Sequence, residues 1–202
     1  MRRAEAAAIG FRSVLLIGQY VFAAIGTTSF AYLAAIVADG RLFQVREADV
    51  FERQGEWKRP PAVYTTRHPS PVEGSTVARL TIPDLGVGLI VVEGVSHRDL
   101  SKGPGHIPGT SSPGEAGNVG IAGHRDTDFR PLRFIRKDQL IVLTSRLAED
   151  HYRVASTTVV DPNNTEVLKP TGRDTLTLVT CYPFDFVGSA PKRFIVQADR
   201  VP

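Results

Sequence analysis

The chain contains one cysteine in 202 residues. An internal disulfide is therefore excluded, and with it the small disulfide-stapled scaffolds. No close pair of ligating side chains of the CxxC or HExxH kind is present, so no metal site is legible from spacing. No acidic cluster compels a calcium site. Excess charge of one sign is also missing: 24 Lys and Arg stand against 21 Asp and Glu, a formal net charge of +3. Three of those arginines and one glutamate fall in residues 1–38, which leaves a net of +1 beyond them. A nucleic-acid partner is accordingly not expected. Neither an internal repeat nor a low-complexity tract occurs.

Charge is wholly absent from Ser13 to Ala38, a run rich in Ala, Ile, Leu, Val and Phe. About 20 such residues span a bilayer core, so this run is long enough to cross with some tilt. Arg2, Arg3 and Arg12 precede it and by the positive-inside rule hold the N-terminus in the cytoplasm. A cleaved signal peptide needs a shorter apolar core, about 7–15 residues, and a small-x-small site that Ala35-Ile36-Val37-Ala38 matches poorly. The expected organisation is a basic cytoplasmic tail (1–12), a transmembrane anchor (13–38), a juxtamembrane stalk (39–75) and an extracytoplasmic folded domain (76–202). Within the stalk, Asp39 to Trp57 has the pattern of a short amphipathic helix, ended by Arg59-Pro60-Pro61 and stiffened by His68-Pro69-Ser70-Pro71.

From Thr76 onward the apolar runs are short and β-branched, with Gly, Pro, Asn and Asp between them. Strands are expected at Val77–Pro83, Leu89–Val92, Val119–Ala122, Leu140–Thr144, Tyr152–Val160, Val167-Leu168, Leu176–Thr180 and Phe194–Ala198. This pattern points to an all-β, closed eight-stranded barrel preceded by one transmembrane helix. Helices are few: Ser96–Lys102 and a turn at Phe129–Ile135.

Three strand ends carry chemistry. Thr175-Leu176-Thr177-Leu178-Val179-Thr180 delivers Cys181; Asn118-Val119-Gly120-Ile121-Ala122-Gly123 delivers His124; Arg193 opens the strand beginning at Phe194. A lone thiol, an imidazole and a guanidinium are the parts of a cysteine acyl-transfer site. A buried, inert thiol is the blander reading of Cys181. Alternation puts Thr177, Val179 and Cys181 on one face of their strand, and points Lys192 away from the side taken by Arg193.

These segments resemble the sortases, membrane-anchored cysteine transpeptidases. Thr175–Cys181 matches the family's TLxTC signature, and Ala122-Gly123-His124-Arg125-Asp126-Thr127 resembles its histidine motif. Arg193 falls where the family's arginine follows the cysteine. Gly103-Pro104-Gly105-His106-Ile107-Pro108-Gly109 and Cys181-Tyr182-Pro183-Phe184 extend the likeness, and Val187–Phe194 most resembles class D members. The resemblance covers about residues 76–200 and implies a sortase barrel that needs no cofactor. It implies substrates that are exported proteins bearing a C-terminal LPXTG-like signal, cleaved after the Thr. The acyl group then passes to an amine of a cell-wall precursor or a protein lysine.

On that resemblance Cys181 is the nucleophile and His124 the general acid and later base. Arg193 is the oxyanion or substrate-backbone donor, joined by the backbone N–H of Tyr182. Thr180 and Tyr182 are the expected substrate-binding residues, with simple packing as the other reading of Thr180. Asp126 is either a partner for His124 or a cap for its loop. His68, His97, His106 and His151 are read as surface or packing residues, and Asn163-Asn164-Thr165 as a turn. Two rivals are a zinc hydrolase using His97, His106, His124 and Cys181, and a non-enzymatic anchored binding module on the same barrel.

Overall fold

The computed structural model describes residues 2–53 and 71–202, with side chains from Leu16 onward. The chain divides into a helical unit ending at Asp39 and a larger unit, Gly40–Pro202. A single helix, α1 (Arg2–Arg53), carries the apolar run. It is long and apolar enough to cross a membrane, and Leu16, Phe22, Ile25, Phe30 and Leu33 on it are exposed. The Pro-rich part of the expected stalk, with His68, lies outside the described residues.

Among the described residues the larger unit has eight strands: β1 (Thr76–Ile82), β2 (Val87–Glu93), β3 (Gly105–His106), β4 (Asn118–Ala122), β5 (Leu140–Ser145), β6 (Glu149–Val160), β7 (Thr175–Tyr182) and β8 (Lys192–Val201). They close into a barrel in the order β1-β2-β3-β4-β7-β8-β6-β5. The closed eight-stranded barrel expected from the apolar runs is therefore present, with one expected strand replaced by another. Val167 and Leu168 form no strand but a 3-10 turn, Glu166–Leu168. Its carbonyls are satisfied by side chains: Asn118 Nδ2 donates to the carbonyls of Val167 and Lys169 at 3.1 and 3.2 Å. The eighth strand is instead β3, two residues in a Gly/Pro-rich loop. It pairs parallel to β2 and antiparallel to β4.

Alternation fills the interior. Leu80 and Ile82 of β1, Val119 and Ile121 of β4, Leu176 and Leu178 of β7, and Val196 and Ala198 of β8 join one core. Burying each such aliphatic side chain contributes about 1.5–3 kcal/mol. The expected helix near Ser96 is α2 (His97–Leu100). Ser96 caps it, and Asp99 reaches back to the Ser96 N–H, a capping box that satisfies two otherwise orphaned donors. The turn expected at Phe129–Ile135 is a 3-10 helix, Arg130–Phe134.

Because β3 is so short, most of the edge of β2 has no strand beside it. The end of α1 supplies a substitute. Ile90 N–H donates to Gln44 Oε1 at 2.8 Å, and Gln44 Nε2 donates to the carbonyls of Ile90 and Lys102, each at 2.9 Å. One side-chain amide thus offers β2 both a donor and an acceptor, as a neighbouring strand does. Thr76 Oγ1 donates to Glu47 at 2.7 Å, and Phe51 is buried on the same side of α1.

His106 of β3 is a packing residue rather than a surface one, the second of the two readings open to it, and it is buried. Its Nδ1 meets Glu93 Oε2 at 2.8 Å, and Nε2 meets the Ser111 carbonyl at 2.9 Å. The ring joins β2, β3 and the following loop. Removing it leaves Glu93 buried without its partner, so His106→Ala is expected to cost about 3–5 kcal/mol in denaturant unfolding. A loss under about 1 kcal/mol contradicts this account of β3.

Candidate active site

The site grows out of two strand pairings. In the antiparallel pair β7–β8, Cys181 stands directly opposite Arg193, and Tyr182 opposite Lys192. Directly opposed residues project to the same face, with Cβ atoms about 5 Å apart. That face is the outer one, because Leu176 and Leu178 already occupy the interior. Cys181 is half-buried and unbonded to any other sulfur. On the other side of β7, β4 runs parallel, with Ala122 beside Val179. Gly123 N–H extends the ladder one step by donating to the Val179 carbonyl at 3.1 Å. His124 comes next, so it leaves the sheet at the level of Cys181, and it is exposed.

Further along, the outer face of β4 and β7 is roofed by the Glu166–Leu168 turn. Leu168 lies over Gly120, and Thr177 is fully buried beneath the turn, its hydroxyl 2.8 Å from Asn118 Oδ1. The face therefore opens at its Cys181 end.

Thr180 is 2% exposed, and its hydroxyl donates to the Gly123 carbonyl at 2.7 Å. It ties the end of β7 to the chain leading into His124. Gly123 is required there by close approach: a Cβ at this position lies 2.8 Å from the ring of Phe129, itself completely buried. Phe129 N–H in turn donates to the His124 carbonyl at 2.9 Å, closing the loop that begins at the histidine.

Tyr182 stacks on Phe194 at 6.3 Å between ring centroids and meets Phe184 edge-on at 6.1 Å. By alternation these rings lie on the face opposite Cys181, where Phe184 and Phe194 pack against the core. Arg193 Nη1 donates to the carbonyls of Ala190 and Lys192 at 3.3 and 3.0 Å. Lys192 turns away, as alternation requires, and pairs with Asp161 at 2.6 Å.

Two residues of the histidine loop were invisible as site components in the sequence. Asp126 pairs with Arg125 Nε at 3.4 Å and is otherwise exposed. The carboxylate whose charge couples to His124 is Asp128. Burial raises its pKa above the usual 3.8, and the attraction of His124 opposes part of that rise. The second is Arg125, which is buried and hydrogen-bonded across to the loop after β7. In sequence it reads as one more loop charge, because nothing local announces that residues 183–188 come round to it.

A raised carboxyl stabilises the fold below its unfolded pKa, and this contribution is lost as pH climbs through the folded value. Above that window the charged Asp128 costs stability. Asp128→Asn is therefore expected to unfold at a higher temperature than the wild type at pH 7, with the difference closing as pH falls toward 3.8. A variant less stable than the wild type at pH 7 shows instead that attraction to His124 dominates.

A family model for the sortase domain matches residues 80–201. The chain belongs to the sortase family and is a sortase-type transpeptidase. It is 40% identical over 133 residues to Sortase D of Bacillus subtilis, which covers 65% of this chain and 67% of that protein. Sortase A of Bacillus anthracis is 28% identical over 129 residues, 62% of this chain and 60% of the relative. Among solved structures, the Clostridium perfringens Sortase D5 transpeptidase superposes with a TM-score of 0.60 at 29% identity, covering 66% of this chain and 83% of its own. Sortase C-1 from Actinomyces oris gives 0.58 at 34% identity, covering 63% and 75%. Within the family, the likeness fits class D.

Proposed function

We propose that this chain is a single-pass membrane sortase that cleaves an LPXTG-like signal between Thr and Gly and transfers the new acyl group to an amine. The observation that carries this reading is the register pairing of Cys181 with Arg193 on the outer face, beside the exit of His124.

In the first half, the Cys181 thiolate attacks the carbonyl carbon of the substrate Thr. Arg193 and the Tyr182 N–H donate to the oxyanion that develops. His124 gives its proton to the departing glycine nitrogen, the C–N bond breaks, and a thioester remains. In the second half, an amine attacks the thioester, His124 takes its proton, and the sulfur leaves as thiolate. An amine held in place outcompetes water because orientation is worth an effective molarity of about 10⁵ M or more. The open, partly roofed outer face of β4 and β7 suits an extended peptide leading to Cys181. Thr180 supports that face from below, and Tyr182, next along the strand, offers its backbone N–H there.

By the positive-inside rule the flanking Arg2, Arg3 and Arg12 favour an N-terminus in the cytoplasm and a barrel outside, with residues 13–38 as anchor and 39–75 as the segment leading to the catalytic domain. The partners on this reading are exported proteins with a C-terminal sorting signal and an amine on a wall precursor or protein lysine. The test uses the full chain in detergent with a quenched LPXTG peptide. Cleavage that yields an amine adduct when an amine is supplied supports the reading. A chain that leaves every such peptide intact overturns it.

A further inference from the structure

The loop joining β7 to β8, residues 183–191, separates the nucleophile from its guanidinium partner. Its shape is held from outside. Arg125, 6% exposed, donates from Nη1 to the Pro183 carbonyl at 3.0 Å. Its Nη2 donates to the carbonyls of Phe186 at 2.6 Å and Gly188 at 2.9 Å. The guanidinium also lies 6.0 Å from the Phe186 ring centroid. Gly188 sits at φ +97, where the chain turns toward β8. Two residues later the Ala190 carbonyl receives Arg193 Nη1. The Arg125 guanidinium thus holds the backbone of the first part of the loop, alongside the Arg133–Asp185 ion pair, and the loop's last part holds the Arg193 guanidinium.

We propose that Arg125 is a positioning residue: it sets the 183–191 loop so that Arg193 is held over Cys181. This rests on the functional reading above for its catalytic meaning, but the placement of Arg193 is measurable without substrate. Three carbonyls at three positions need a planar fork of donors, which Lys does not supply. Arg125 acts through Arg193, so its loss does nothing further once Arg193 is gone.

The test is alkylation of the full chain in detergent. Cys181 is the only thiol, so every reaction reports on it. The rate with anionic iodoacetate is divided by the rate with neutral iodoacetamide. A guanidinium near the sulfur raises that ratio, by about five-fold for a charge some 4 Å away in water. The expected result is that Arg193→Ala and Arg125→Lys both lower the ratio to the same level, and that the double variant is no lower. Arg125→Lys keeps the charge, so a general charge effect is rescued by it and a positioning effect is not. A wild-type ratio in Arg125→Lys, or a further drop in the double variant, overturns the proposal. Gly188→Ala is the second variant, should Arg125 variants fail to fold. It meets no neighbouring atom and strains only the loop backbone, so it should lower the ratio alone and not in the Arg193→Ala background. An unchanged ratio in Gly188→Ala overturns the proposal too. If ratios behave as expected while no LPXTG peptide is cleaved, the positioning stands and the functional reading falls.

Discussion

Cys181→Ala abolishes peptide cleavage and transfer, with a fall in turnover on the order of 10⁴-fold or more, the scale seen when a nucleophile acting as a unit with its base is removed. The magnitude follows from chemistry rather than packing. No other thiol exists in the chain to take over. The fold should be spared. Cys181 sits half-buried on the outer face, while Leu176, Leu178 and the Thr180 bond to Gly123 hold β7 in place. Thermal unfolding should shift by less than about 1 kcal/mol, within the range of a substitution that opens no core cavity. Turnover within tenfold of the wild type contradicts the assignment of the nucleophile. A collapsed melting temperature contradicts the account of the strand.

Arg193→Ala lowers turnover by about 10²–10³, the cost of removing one donor to a developing oxyanion. Arg193→Lys recovers little of it. Register holds the Cα of residue 193 opposite Cys181 in either variant. What changes is the donor: lysine has a compact point charge on a flexible stem, without the fork that can donate to a loop carbonyl and an oxyanion at once. In the resting structure Arg193 Nη1 already serves Ala190 and Lys192. The loss should appear in the turnover number more than in the Michaelis constant, because the oxyanion exists only in the transition state. A lysine variant as active as the wild type shows that charge alone suffices.

The barrel was legible because its strands are long enough to alternate. Leu176, Leu178 and Thr180 face inward and Cys181 outward, as period-two patterning requires. β3 was not legible: two residues, Gly105 and His106, carry no period, and their pairing is decided by β2 and β4. Val167-Leu168 misled for the opposite reason. The pair is apolar and β-branched in part, yet Asn118 satisfies the carbonyls around it and releases the segment from the sheet.

At the site, the three strand-end residues could be named from sequence because each terminates an apolar run. Their convergence could not, since it depends on β4 lying parallel to β7 rather than elsewhere in the barrel. Arg125 and Asp128 escaped because their partners are distant in sequence or emerge only once the loop closes from His124 to Phe129. Asp126 was the conspicuous carboxylate near the histidine, and its partner is Arg125. His106 was expected to be bland, and its burial against Glu93 makes it a structural joint.

On the proposed reading the sulfur of Cys181 takes the acyl group. Mass spectrometry of the full chain, quenched in acid during turnover of an LPXTG peptide, decides whether it does. The expected result is an adduct on the peptide containing Cys181 with the mass of the substrate up to its Thr, removed by hydroxylamine and absent in Cys181→Ala. Sustained cleavage with no adduct on Cys181, or with one on another side chain, contradicts it.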